Sequence, residues 1–298
     1  DRGMASYDQS DGLPTDRVVG LHVEPDDSIW LGTQRGAVRY DGAAFHDLGD
    51  DVPVGQLVVQ DIHGGGDEPI WLATSAGAWR LFENDVTQYT TLDGLAWDEV
   101  LKIHTDRDGH VWLATSDGVT RFSEERTHEE QFQNYGVADG LGHARVGDVE
   151  ETADGSLWFA THGGGASRFD GSRFETFTHD DGLAGDWVTS VHVAADSSIW
   201  FATREGVTRY DGQEFVSYTQ EDGVAFAEVE DVTESEDGLL WFATNGGGVT
   251  LFDGQAWSSL DTRDGLTDNS VYEIRFDRQG DLWIATNHGV SRYRRNTV

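Results

Sequence analysis

Two sets of side chains in this sequence recur at spacings that could do chemistry. The first follows two repeated landmarks, Asp-Gly-Leu (or Val) and Ala-Thr (or Gly-Thr). A few residues beyond the former come Arg17, Trp97, His143 with Arg145, Trp187 and Phe226. Just beyond the latter come Gln34-Arg35, His162, Arg204-Glu205, Asn245 and His288. Large aromatics beside His, Asn and Arg suit a sugar, because apolar ring faces stack while polar tips fix hydroxyls. A peptide could use the same groups. The competing reading is that the aromatics only plug a loop layer above the core. Arg17, Arg35, Trp97, His143, Arg145, His162, Trp187, Arg204, Phe226, Asn245 and His288 are therefore the candidate ligand-binding residues.

The second set is counted back from seven evenly placed tryptophans. Ten residues before each stand Gly20, Asp61, Lys102, Asp148, Ser190, Asp231 and Glu273. Eight before each stand His22, His63, His104, Glu150, His192, Thr233 and Arg275. On a repeat architecture, polar groups at one level would line a shared channel, and Asp61, Lys102, Asp148, Asp231 and Glu273 are the expected lining. Lys102 is the one lysine in the chain, and a buried ammonium needs a carboxylate beside it. Four equivalent imidazoles invite a metal reading. Zinc, however, needs converging ligands at roughly 2.0–2.1 Å, and equivalent positions of neighbouring repeats stand apart, so hydrated histidines are expected instead. No metal ligand or cofactor is assigned, a divalent cation in the channel being the alternative. No nucleophile–base spacing marks a catalytic residue. An enzymatic reading would use His143, His162 or His288 as acid or base, with Asp148 or Glu273 on a metal. Asp106-Arg107-Asp108-Gly109 lacks the later acidic ligand of a calcium loop, and no helix follows the glycine runs at 163–165 and 246–248 to bind phosphate. Both read as turns.

The elements that must position these residues repeat seven times. Trp30, Trp71, Trp112, Trp158, Trp200, Trp241 and Trp283 are separated by 41, 41, 46, 42, 41 and 42 residues, and each sits in an apolar pentamer such as Ile29-Trp30-Leu31-Gly32-Thr33. Units of this size cannot bury their own cores and must stack on one another. Within a unit, β-branched and aromatic runs of four to six residues are bounded by Gly and Asp, with no helical period. The first unit reads as strands over Val18–Val23, Ile29–Thr33, Ala37–Tyr40 and Phe45–Leu48. Four strands at this period predict an all-β, seven-bladed β-propeller. Its blades span 13–51, 52–95, 96–141, 142–183, 184–224, 225–266, and 267–295 plus 1–12. The last assignment rests on the ends. Residues 5–13 match 216–224, which hold a fourth strand, whereas the C-terminus stops after a third; the N-terminal strand should complete the last blade. Each tryptophan should lie between neighbouring sheets. The long gap into the fourth unit reflects the charged stretch 123–130, read as a solvated hairpin extension.

Composition narrows the partners. The 298 residues carry 55 acidic and 20 basic side chains, a net charge of -35. Such a surface repels phosphate backbones and anionic lipids, so nucleic acid and direct membrane contact are not expected. Abundant acid with one lysine matches the bias of salt-loving microbes. Cysteine is absent, which removes disulfides and thiolate metal sites. No apolar run is long enough to span a membrane as a helix.

Residues 140–171 gather the repeat most fully: Gly140-Leu141, Val146, Val149, Asp154-Gly155, Leu157-Trp158-Phe159-Ala160-Thr161, Gly163-Gly164-Gly165 and Arg168-Phe169-Asp170-Gly171. This composite resembles the two-component regulator propeller repeat, over nearly the whole chain. The resemblance implies an extracytoplasmic (periplasmic or secreted) sensing propeller. Its ligand would be a small molecule, glycan fragment or peptide, and its partners other domains of a larger sensor. A lyase or hydrolase and a protein-interaction scaffold are the other readings.

Overall fold

A computed structural model describes residues 3–48, 52–124 and 131–294; most of the stretch 123–130 lies outside them. Its 28 strands form seven four-stranded antiparallel sheets, and the fold is a seven-bladed β-propeller. Six sheets are simple meanders. The first runs Val18–Val23, Ile29–Thr33, Gly36–Tyr40, Phe45–Asp47, within a residue of the strands read from the sequence. The seventh sheet takes its outer strand from the other end of the chain. Met4–Tyr7 pairs antiparallel with Gly289–Tyr293, Met4 opposite Tyr293 and Tyr7 opposite Val290. The N-terminal strand thus completes the last blade, as the end-to-end match predicts.

The chain divides into two compact units, residues 1–62 with 218–298, and residues 63–217. In each, the repeated tryptophan packs against the sheet that follows. In the 63–217 unit Trp71 joins Ile103, Val111 and Leu113, Trp112 joins Val149, Leu157 and Phe159, and Trp158 joins Val191, Ile199 and Phe201. In the other unit Trp241 joins Ile274, Leu282 and Ile284, and Trp283 joins Leu21, Ile29 and Leu31. Each indole removes roughly 150–250 Å² from water, worth about 4–6 kcal/mol before the entropy of ordering. The indole N–H groups of Trp30, Trp112 and Trp283 donate to Glu24, Asp106 and Asp277, each six residues upstream.

Three recurrent devices present the loops. First, the Asp of Asp-Gly-Leu accepts a backbone N–H three residues earlier: Asp8 to Asp11, Thr90 to Asp93, Gly136 to Asp139, Thr178 to Asp181, Thr219 to Asp222, Asp261 to Asp264. The following Leu or Val is buried, so the crossing leaves from a pinned point. Second, the threonine closing each second strand donates its hydroxyl across the next turn, as in Thr161 to Gly165 O and Thr203 to Gly206 O, at 2.7 and 2.9 Å. Gly165 has φ +76°, and a Cβ there would lie 1.9 Å from Phe177 O, so only glycine fits. Third, the inner strands carry a bulge after their first valine, with the register shifting between Val146 and Asp148 and between Val271 and Glu273. A bulge frees one residue from the ladder and re-aims it. Gly147 and Tyr272 are two such residues.

Candidate functional site

In the 63–217 unit the crossing and the turn of one sheet meet side by side. The residue just before the inner-strand valine accepts the N–H of the residue just after the threonine: Ser116 N–H to Glu99 O, His162 N–H to Arg145 O, Arg204 N–H to Trp187 O. Three consecutive sheets thereby present the pairs Glu99/Ser116, Arg145/His162 and Trp187/Arg204, and these pairs touch.

Arg145 is the link in one direction. Its Nη1 donates to Glu99 Oε2 at 3.1 Å and to Ser116 Oγ at 2.5 Å, and its Nε donates to His162 Nδ1 at 3.1 Å. Ser116 Oγ also donates to Glu99 Oε2. That bond, and then Arg145, hold the Glu99 carboxyl below its ordinary range. In the other direction the His162 ring stacks on Trp187, centroids 5.2 Å apart and planes within 20°. The guanidinium of Arg204 lies over the same indole, Cζ 3.9 Å from the ring centroid. Burial, then the charges of Arg145, Arg204 and His143, push the His162 imidazole down to about 4. The ring is neutral at pH 7, and with Nδ1 accepting from Arg145 its proton sits on Nε2. That edge faces Gly147, where a Cβ would stand 2.3 Å from Nε2; the glycine at the bulge makes room for the histidine.

His143 is exposed above this row, its Nδ1 accepting the Arg145 backbone N–H at 3.1 Å. It rests on the glycine run: a Cβ on Gly164 would approach its Cβ to 2.8 Å. Trp97, 49 % exposed, stands in the crossing that ends at Glu99. That crossing is fastened by Thr91 N–H to Asp98 Oδ1 at 2.7 Å. The structure therefore brings His143, Arg145, His162, Trp187 and Arg204 together. It adds Glu99, Ser116 and Gly147, which sequence reasoning missed. Comparing all seven repeats at the positions beside the inner-strand valine and after the threonine would have found the first two.

The other unit carries separate groups. Arg17 lies over the Tyr272 ring, Cζ 4.8 Å from its centroid, and Tyr272 Oη donates to Asn287 Oδ1 at 3.3 Å. His288 Nδ1 bonds Asp268 Oδ2, giving an exposed imidazole held by a carboxylate. Asn245 Nδ2 donates to Glu228 Oε2 at 3.1 Å. Phe226 lies against the second glycine run, where a Cβ on Gly247 would come within 2.8 Å of its Cβ. Arg35 is an exposed turn residue whose own N–H donates to Thr33 Oγ1. Tyr272, Asp268 and Glu228 were not singled out from the sequence.

The inner-strand set makes strand-to-strand ties. Asp231 Oδ2 accepts Ile274 N–H at 2.9 Å, Glu273 Oε2 accepts Leu21 N–H at 2.6 Å, and Asp148 Oδ2 accepts Val191 N–H at 3.0 Å and the Ser190 hydroxyl at 2.8 Å. These three carboxylates and Asp61 are buried. Asp148, Asp231 and Glu273 each reach the next sheet's inner strand and satisfy a buried donor there, which costs about 1–3 kcal/mol to leave unmet. Gly20 breaks the polar series because Gln60 O would be 2.8 Å from a Cβ at that point. Lys102 is half-buried, opposite Ala114. In the register two residues on, His63 Nε2 bonds Thr105 Oγ1 at 3.0 Å, His192 Nδ1 stands 3.7 Å from Glu150 Oε2, and Arg275 bridges Asp231 and Glu273. Among the described residues no group of three or more His, Asp or Glu is arranged to hold a metal ion.

Residues 265–288 match the model of the two component regulator propeller; the match falls on the last repeat rather than on 140–171. No curated protein matches the sequence. Among solved structures, the extracellular domain of a hybrid two component system from B. thetaiotaomicron superposes with TM-score 0.87 at 15% identity, over 98% of this chain and 41% of that one. The extracellular domain of a one component system from the same organism gives 0.81 at 16%, over 100% and 40%. Virginiamycin B lyase from Staphylococcus aureus gives 0.76 at 13%, over 97% and 98%. This chain thus spans about two fifths of the length of the sensor domains it resembles. Among the described residues no helix is long and apolar enough to cross a membrane. One repeat of the chain, residues 265–288, thus matches the two component regulator propeller, on a seven-bladed fold shared with the extracellular domain of a hybrid two component system.

Proposed function

We propose that this chain is a ligand-sensing propeller of a larger extracytoplasmic sensor, with its recognition site on the Glu99/Ser116, Arg145/His162 and Trp187/Arg204 loops. The carrying observation is the His162–Trp187–Arg204 stack, continuous with the Arg145–Glu99–Ser116 network. Such a row of cross-braced polar and aromatic groups is rigid before any ligand arrives, and pre-organisation reduces the entropy cost of binding. Trp187 is already engaged by both His162 and Arg204, so it serves as a pedestal. The open ring is Trp97, and the solvent-facing polar tips are His143 and Arg204. This combination supports a glycan fragment, one sugar on the Trp97 face and its polar substituents on the two tips.

Calorimetric screening against an oligosaccharide panel tests the reading. Trp97→Ala should weaken binding tenfold or more by removing the stacking face. Trp187→Ala should weaken it by dismantling the pedestal. Unchanged affinity in both variants would move the site elsewhere.

A second reading has its own observation. The exposed His288–Asp268 pair has the form of a general base oriented by a carboxylate, and virginiamycin B lyase, a fold neighbour of nearly equal length, is catalytically inactive when one histidine is replaced by alanine. Elimination or hydrolysis that His288→Ala abolishes, while Trp97→Ala leaves it intact, would favour this reading over sensing. The metal content of protein purified without added metal would show whether an ion takes part.

A further inference from the structure

Resting on that reading of the Trp187 loops, we infer that the glycan recognised there is acidic, a uronic acid whose carboxylate is taken by Arg204. With 55 acidic side chains against 20 basic, an arginine on this surface is surrounded by potential partners, and most described arginines have one. Arg39, Arg107, Arg168 and Arg209 pair with Asp26, Glu151, Asp154 and Asp196, and even Arg145, within the site, is matched by Glu99. Arg204 is different. It is exposed, its flat face lies on Trp187, and no carboxylate of the described residues stands within ion-pair distance of it. The adjacent Glu205 runs instead beside Gly185, where a Cβ would meet its carboxyl carbon at 3.0 Å.

The guanidinium is held as well as free. Its backbone N–H donates to Trp187 O at 3.1 Å, and Thr203 clamps the turn. With the face covered, the N–H edge is what remains for a ligand, and that planar fork matches a carboxylate through two parallel hydrogen bonds. The surroundings favour the anion too. Arg145 and Arg204 both push the neighbouring imidazole toward its neutral form, so the local field at this row is positive on a molecule whose net charge is -35. A neutral sugar would gain nothing from leaving an arginine unmatched here.

The experiment compares oligogalacturonides and glucuronate-bearing xylo-oligosaccharides with their methyl esters, which keep the shape and remove the charge. Calorimetry is run on the wild-type chain, Arg204→Gln, Arg204→Lys and, as a control far from these loops, Arg173→Gln. The acid form of at least one glycan should bind the wild type and Arg173→Gln ten or more times tighter than its ester. Arg204→Gln should reduce that ratio to about one, and Arg204→Lys should restore only part of it. Equal affinity for acid and ester in the wild type, or a ratio unchanged in Arg204→Gln, overturns the acidic assignment and leaves glycan sensing standing. No saturable binding of either form overturns both.

Discussion

A buried histidine that feels the charges of two arginines has a testable proton balance. His162 titrates at about 4 in the folded chain, through burial first and the neighbouring cations second, against about 6.5 for an unfolded histidine. The unfolded state therefore binds more protons between these values. The stabilisation is fully present above about pH 6.5 and is lost as pH falls toward 4. The contribution is on the order of 3 kcal/mol. Urea unfolding of the wild type and of His162→Gln, whose amide oxygen can still accept from Arg145, should show the wild type losing more stability between pH 7.5 and 4.5. Parallel pH profiles would mean that the ring is hydrated and free to protonate. The sequence marked His162, Arg145, Trp187 and Arg204 as unusual but not as neighbours. It contains no sign that Gly147 hollows out the place the imidazole fills, because a glycine in a strand reads first as a weakness in the strand.

At the scale of loops and strands, one side chain fixes where a crossing starts. Asp93 accepts both the N–H and the hydroxyl of Thr90, at 2.9 and 3.0 Å, and the crossing it pins carries Trp97 and Glu99. Asp93→Ala should cost about 1 kcal/mol, a fall of roughly 2 °C in melting temperature for a chain of this size. It should also weaken ligand binding without removing any contacting group; unchanged binding would show that the loop holds its shape alone. The elements were the most legible part of the molecule. The pentamer around each tryptophan is buried on both faces and so reads as an unbroken apolar run, and Asp-Gly marks the turns, which is why the strands fell where expected. What glycine runs do was hidden. Those at 163–165 and 246–248 read as turns and are turns, yet they also seat His143 and Phe226, a tertiary role that local pattern does not encode. The end-to-end match did reveal the strand exchange. Met4 and Tyr7 pack with Trp241 and Trp283, respectively, so removing residues 1–12 should both lower the melting temperature and bare the edge of Gly289–Tyr293. Bare edges recruit other strands, and light scattering should find larger species than the full chain forms. A peptide of residues 3–13 should reverse this, and a truncated chain identical to the full one by both measures would show that the strand is dispensable.

For the molecule as a whole, the dominant unbalanced quantity is charge. Carboxylates outnumber cations 55 to 20, so even with a carboxylate set against every cation most of the acid would remain to repel itself. Salt acts on both terms. It weakens the surface ion pairs, each worth about 0–1 kcal/mol, and it screens the repulsion, whose range falls from roughly 8 Å at physiological ionic strength to roughly 3 Å at 1 M. The repulsive pairs are far more numerous, so screening wins and the chain should become more stable as sodium chloride rises from 0.1 to 2 M at pH 7. Salt also strengthens apolar burial by exclusion from the surface, and that effect has to be separated. The sequence pI of about 4.3 allows it. At that pH the net charge vanishes, and with it the gain from screening, whereas exclusion persists. Melting temperatures measured across salt at pH 7 and at pH 4.3 should therefore rise steeply in the first series and weakly in the second. Equal slopes would assign the effect to solvent exclusion, and a falling curve at pH 7 would show that the arginine–carboxylate pairs outweigh the repulsion around them.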